Sequence, residues 1–239
     1  MCGSFTQPGD IEIVKRFSVQ YGLQVQAQPN SNPAQMMPPH ETVVTHPYRD
    51  VWTIYADKEG NHKLTGMYWE LIHHWNREFK SPYTNFNTRA ESLDKPNNAR
   101  LLENRRCVFP ALSFFETRKT ADGKTVKPRE AYEFSLKDHG LIALGGVYTV
   151  WHNPADENDR RLSCSIITME PNEVVGEVHP RMPFILAAEA VPAWLDPSVT
   201  DTDLLKGLIR PFDSERILRS REEVSANAPG GPDSSPPLF

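Results

Sequence analysis

Cysteine is scarce in this 239-residue chain, with three at positions 2, 107 and 164. No two are close enough for a CxxC pair, which excludes the common structural zinc frameworks. The odd count, with no secretory signal, argues against a disulfide scaffold and for a reducing, cytoplasmic setting of bacterial type. No apolar run approaches the ~20 residues a membrane helix needs, so no membrane partner is expected. Nothing apolar precedes "MCG", so Cys2 is not read as a lipid anchor. Excess basic charge is also missing, since 26 Lys and Arg face 31 Asp and Glu, a net charge of −5. That removes the global signature of a nucleic-acid binder but leaves room for a local one. Between Arg77 and Arg118, eight basic residues face five acidic ones, a local +3. Internal repeats and interior linkers are absent.

Hydrophobic residues make up 38% of the chain, enough for a core at this length. Residues 9–22 carry Ile13, Val14, Phe17 and Tyr21 at helical spacing, with Asp10 as the expected N-cap and Gly22 as the stop. Residues 25–41 are rich in Pro, Asn and Gln and read as a loop. Residues 41–57 read as two short strands, and 63–79 as a strand running into a short helix or turn. Residues 97–106 form a short helix and 107–117 a strand, followed by a polar hairpin loop at 118–130. Three successive strands are expected across 131–170, then a strand at "MPFILA" and two helices. Strands outnumber helices, without βαβ alternation. The expectation is an α+β fold: one domain, 1–225, around a curved, mostly antiparallel, barrel-like sheet with peripheral helices. A Pro/Gly/Ser-rich tail, 226–239, is expected to be disordered.

The chemistry starts at "MCGS". Residue 2 is small enough for an aminopeptidase to remove Met1. Cys2 would then carry an α-amine and a thiol together, with ordinary pKa values of roughly 7.7–8.0 and about 8.5. Gly3 lets the backbone turn behind it. Other polar groups sit in unusual settings. Asn87, Arg89 and Glu91 alternate in one extended piece, which places them on one face. Glu116 ends an apolar strand, where partial desolvation raises a carboxyl pKa and suits it to proton transfer. Thr168 closes another apolar strand. His179 and Arg181 lie in a Pro-bounded loop, where a histidine titrates near neutrality.

The blocks "MCGS" (1–4), "YWELIHHW" (68–75), "NTRAES" (87–92), "RRCVFPALSFFET" (105–117) and "HPRMPFIL" (179–186) together resemble the SOS-response-associated peptidase family. They come in the family order and reach to about residue 196. The resemblance implies covalent capture of abasic sites in single-stranded DNA. The Cys2 amine condenses with the sugar aldehyde, and the thiol closes a thiazolidine ring. It further implies that Asn87 holds the Cys2 terminus and Glu116 shuttles protons. His179 would assist Schiff-base formation or reversal, and Thr168 would hydrogen-bond near the nucleophile. Arg89 would meet a phosphate, Trp69 would stack on or wedge against a base, and Gly3 and Arg181 would line the DNA path. No metal and no cofactor is implied. The expected partner is single-stranded DNA bearing the lesion, bound by a monomer that is nucleoid-associated when engaged.

Three positions depart from the family pattern. Ser4 stands where arginine is usual, Glu70 replaces glycine in the "WGLIP"-like turn, and "SFFET" replaces "GFYEW". Losing one cation and gaining one anion is expected to thin DNA binding. Three other functions are compatible with these residues. A thiol-dependent peptidase would use the same Cys2, Glu116 and His179. A DNA-binding relic would have lost catalysis. An N-terminal-nucleophile glutamine amidotransferase also begins "MCG", but its "HRGPD"-like and "NGEIYN"-like stretches are missing.

Overall fold

The computed structural model describes residues 2–28, 38–120 and 122–222. The chain opens with a short strand, β1 (Phe5–Gln7), and a helix, α1 (Asp10–Tyr21). Ile13, Phe17 and Tyr21, four residues apart, form the buried face of α1, and the helix stops at Gly22 with φ 66°. Its N-cap is Gly9, not Asp10, which lies in the first turn. There a carboxylate still complements the helix dipole.

Strands β2 (Val25–Ala27), β3 (Val43–Thr45), β4 (Asp50–Ala56), β5 (His62–Trp69) and β6 (Asn87–Arg89) follow. Then come α2 (Pro96–Asn104), β7 (Arg106–Ala111), β8 (Ser113–Thr117), β9 (Ala131–Leu136), β10 (Ile142–Asn153) and β11 (Asp156–Met169). The last third holds α3 (Glu173–Gly176), β12 (Met182–Pro183), α4 (Val191–Leu195), α5 (Thr202–Gly207) and β13 (Ile217–Glu222). Of the short helix or turn expected after residue 69, the turn is what forms, with bends and turns over residues 70–86. The loop expected over 25–41 begins with β2, and its residues 29–37 lie outside the described residues. So does the tail at 226–239.

Two sheets build the core. One runs β13-β9-β8-β1-β3, and all its pairings are antiparallel. The other runs β12-β11-β10-β7-β4-β5-β2. There β11 also meets β5 in parallel, at Ser163–Tyr68 and Cys164–Trp69. Strands β11, β10, β7, β4 and β5 therefore close a five-stranded ring. The α+β class with a curved, mostly antiparallel, barrel-like core is the observed one.

Closing the ring demands small residues where backbones and rings crowd. A Cβ on Gly146 would lie 2.4 Å from the Phe109 ring and 2.5 Å from the Ser165 carbonyl oxygen. The second contact is backbone and cannot swing aside. Gly146→Ala is therefore expected to destabilise by about 1–3 kcal/mol. Thermal denaturation should show Tm lower by roughly 3–10 °C, and an unchanged Tm would mean the ring is looser than described.

The two sheets are joined under the N-terminus. Phe5 packs on Trp69 (ring centroids 4.9 Å apart) and edge-on to Phe109 (6.1 Å). Gln7, 2% exposed, donates from Nε2 to the carbonyls of Trp52 (2.8 Å) and Pro110 (3.0 Å). Its Oε1 accepts from the Trp52 N–H at 2.8 Å. One buried amide thus fastens β1 to β4 and β7 with every bond satisfied, which makes it costly to shift.

Candidate active site around Cys2

Cys2 lies one turn of chain before β1. The Phe115 N–H donates to the Ser4 carbonyl at 3.0 Å, extending the β1–β8 pairing toward the terminus. Cys2 is fully buried, and its Sγ lies 3.9 Å from the Ser4 carbonyl oxygen. Asn87, at the start of β6, donates from Nδ2 to the Cys2 carbonyl at 2.9 Å. The terminus is therefore held from two sides by residues 85 or more positions away.

Glu116 reaches the same place because β8 runs beside β1. It is 4% exposed, and burial pushes its carboxyl up to about 7. His179 is 6% exposed, and burial holds its imidazole down at about 4. Its Nε2 lies 3.7 Å from Glu116 Oε2. Nδ1 is 3.0 Å from both the backbone nitrogen and the carbonyl oxygen of Arg181. The neutral ring can accept from that N–H, and a protonated ring can donate to that carbonyl. At neutral pH the pair is a half-protonated carboxyl facing a neutral imidazole, an arrangement suited to passing a proton in either direction. The Cys2 thiol is driven well above its ordinary range, chiefly by burial and then by the Glu116 carboxylate. At rest it stays a thiol.

Thr168 sits on β11 beside the Asn87–Arg89 strand, in register with Arg89. Thr168 Oγ1 and Asn87 Oδ1 are both buried with no hydrogen-bond partner among the described residues. Buried polar atoms of this kind are costly unless a ligand completes them.

The expected face of Asn87, Arg89 and Glu91 breaks after Arg89, because residues 90–92 form a 3-10 turn. Arg89 is exposed. Glu91 instead turns to Arg181, whose guanidinium donates to both carboxylate oxygens (2.5 and 2.9 Å) and to the Thr168 carbonyl (2.6 Å). Arg181 thereby ties the His179 loop to β11, and its charge is already engaged. Gly3 is half-buried beside Cys2.

Trp69 requires a correction. It is fully buried, with its indole N–H donating to the Phe86 carbonyl at 2.9 Å and Phe5, Phe86 and Phe109 around it. It supports β1 from below and presents no face on which a base could stack. The local +3 of residues 77–118 also changes character. Arg106 is buried, and all its bonds go to the carbonyls of Leu102, Glu103, Trp194 and Asp196. Glu70 is 7% exposed, and burial raises it to about 7, so at neutral pH it carries only part of a negative charge.

Cys107 and Cys164 are core residues with no exposure, as their apolar strands suggest. Among the described residues no cluster of His, Cys, Asp and Glu could hold a metal, and no helix is long and apolar enough to cross a membrane.

A family model described as SOS response associated peptidase (SRAP) matches residues 1–226. The chain belongs to the SRAP family. The abasic site processing protein YoqW of Bacillus subtilis (strain 168) is 34% identical over 232 residues, covering 96% of this chain and 95% of YoqW. The abasic site processing protein HMCES of Gallus gallus is 28% identical over 170 residues, 63% of this chain and 50% of HMCES. A solved structure from Bacteroides thetaiotaomicron shares the fold with a TM-score of 0.72 at 21% identity, over 92% of this chain and 91% of that one. Within this SRAP chain, two positioning residues gave no signal in the sequence. Gln7 lies in an unremarkable strand, and Arg106 reads as one more surface cation.

Proposed function

We propose that this SRAP chain captures abasic sites in single-stranded DNA through Cys2, once Met1 is removed. The observation that carries the proposal is the Cys2 carbonyl held by Asn87 beside the buried Glu116–His179 pair. The ring-opened abasic sugar presents an aldehyde. The α-amine attacks its carbon to give a carbinolamine, and protonated Glu116 gives its proton to the leaving hydroxyl, so water departs and an iminium forms. The thiol then adds to the same carbon and its proton returns to the Glu116 carboxylate. The sum is aldehyde plus aminothiol giving thiazolidine plus one water, with Glu116 restored. His179, neutral under these conditions, faces Glu116 without a positive charge that would repel the iminium.

The protonation states favour this order. A buried thiol well above its ordinary range is a poor first nucleophile, whereas a peptidase cysteine needs a lowered pKa. The positive iminium would lower the thiol pKa only after the amine has reacted. The direct test mixes Met1-processed protein with an oligonucleotide carrying one abasic site and runs a denaturing gel. A protein–DNA band is expected. Its absence, with Met1 confirmed removed, would favour the peptidase or relic alternatives.

Ser4 lies beside this path, half-buried, with its carbonyl already used by β8. Ser4→Arg is expected to tighten single-strand binding and steepen the slope of log K against log salt by about 0.7, one phosphate contact. Filter binding at several salt concentrations reads this out, and parallel lines would place residue 4 off the DNA path.

A further inference from the structure

β1 lies between β8 and β3, so the Cys2 terminus has a neighbour on each side. On the β3 side the pairing is antiparallel, with Phe5 opposite Thr45. Continued past the strand end, that register runs residues 46–48 alongside residues 4–2. The chain then enters β4 irregularly. The Trp69 N–H donates to the Arg49 carbonyl at 2.8 Å, and the Tyr48 N–H donates to the Trp69 carbonyl at 3.1 Å. Two residues thus oppose one, which makes a β-bulge, and the first of them, Tyr48, has φ 66°. Glycine is the usual occupant of that left-handed position, and a bulky side chain there is strained. The Tyr48 ring lies edge-on to Phe86, with centroids 6.0 Å apart, and remains 50% exposed. Phe86 immediately precedes Asn87, which donates to the Cys2 carbonyl. Arg49, the second residue of the bulge, is exposed. By contrast, Arg181 is engaged by Glu91, and Arg106 by backbone carbonyls.

We propose that residues 46–49 form a second wall of the Cys2 site, with Arg49 binding the phosphate beside the abasic sugar and the Tyr48 ring covering that sugar. The proposal rests on the reading of Cys2 as a DNA-capturing residue. Backbone strain of this kind persists where the surroundings over-determine it, and it gathers at sites of function. Glycine would make the same bulge without strain, so the turn alone does not call for tyrosine. Bulges beside active sites re-aim side chains. This one interrupts the alternation of β4 just where the chain passes the segment that carries Asn87. Ser4 brings no cation to the terminus, and Arg49 brings one from the facing strand. A guanidinium matches phosphate oxygens in a fixed fork geometry. A backbone contact also positions a strand without reading its sequence, which suits a lesion defined by a missing base.

Contact and capture are read separately. A single strand carrying a tetrahydrofuran abasic analogue has no aldehyde, so its fluorescence anisotropy reports contact alone. Arg49→Ala should weaken its binding and flatten the slope of log K against log salt by about 0.7, one phosphate. Replacing a phosphate next to the analogue by a neutral methylphosphonate should flatten the wild-type slope equally on one side of the lesion. In Arg49→Ala that replacement should change nothing further. Tyr48→Gly removes the ring and the strain together. Its Tm should equal or exceed the wild-type value. Adduct formation on a natural abasic strand should slow about tenfold, as loss of positioning does. A packing role gives the opposite pair, a lower Tm with the wild-type rate, and would overturn the part assigned to the ring. A wild-type slope in Arg49→Ala, or a full methylphosphonate effect in that variant, would overturn the phosphate contact. If Arg49→Ala flattens the slope on the analogue while no natural abasic strand ever forms an adduct, the wall stands and the Cys2 reading falls. If the adduct forms and neither variant changes binding or rate, the reverse holds.

Discussion

Replacing Cys2 by alanine should remove the denaturation-resistant DNA adduct entirely while leaving an amine that still forms a Schiff base. The ring needs amine and thiol on one residue, two carbons apart, and alanine keeps only the amine. In Cys2→Ala the imine hydrolyses on denaturation unless borohydride reduces it first. Wild type should therefore show a band with or without borohydride, and Cys2→Ala only with it. An N-terminal extension ahead of Cys2 converts its amine to an amide and should abolish both bands. A stable band in untreated Cys2→Ala would falsify the thiazolidine. The substitution is not expected to unfold the protein, because Phe5 and Gln7, not Cys2, anchor β1.

Glu116→Gln should slow adduct formation by about 10²–10⁴-fold, the usual contribution of a positioned acid. The amide fills the same buried space and cannot give up a proton. The pH profile separates this role from a structural one. In wild type the acid form of Glu116 is lost as pH rises through about 7. The free α-amine is gained as pH rises through roughly 7.7–8.0. The product of the two populations is bell-shaped, with its maximum between those values. His179 stays neutral over this whole range, since it protonates only near 4. In Glu116→Gln the falling alkaline limb should vanish, so the residual rate climbs with pH and levels off. A variant with the wild-type rate and an unchanged bell would remove Glu116 from the chemistry.

Much of this arrangement was legible in the sequence, and the failures have physical causes. Glu116 and His179 stood out because a carboxylate ending an apolar strand and an imidazole in a Pro-bounded loop are unusual locally. Asn87 stood out through its motif, and its Nδ2 donates to the Cys2 carbonyl. Period 2 failed for Glu91 because the chain leaves the extended state one residue after Arg89, where Glu91 finds Arg181. Trp69 was misjudged because an aromatic at a strand end reads the same whether it faces solvent or the neighbouring sheet. Only the packing of Phe5 and Phe109 decides it. The pocket beside Trp75 is built with α2 and β10, distant in sequence, so no local signal marks it. The parallel β11–β5 pairing that closes the ring leaves no local trace at all.

The place of β1 between β3 and β8 sets an order of events during biosynthesis. Phe5 pairs with Phe114, so the pocket around Cys2 cannot exist until about 110 further residues have been made. At ribosomal rates of about 5–20 residues per second, that interval is on the order of ten seconds. Throughout it the nascent terminus is unpacked and accessible to an aminopeptidase, and afterwards Cys2 is buried beside β6 and β8. Removal of Met1 is thus expected to be fastest in a window before folding ends. Protein that keeps Met1 would carry its free α-amine one residue before the thiol and could not close the ring.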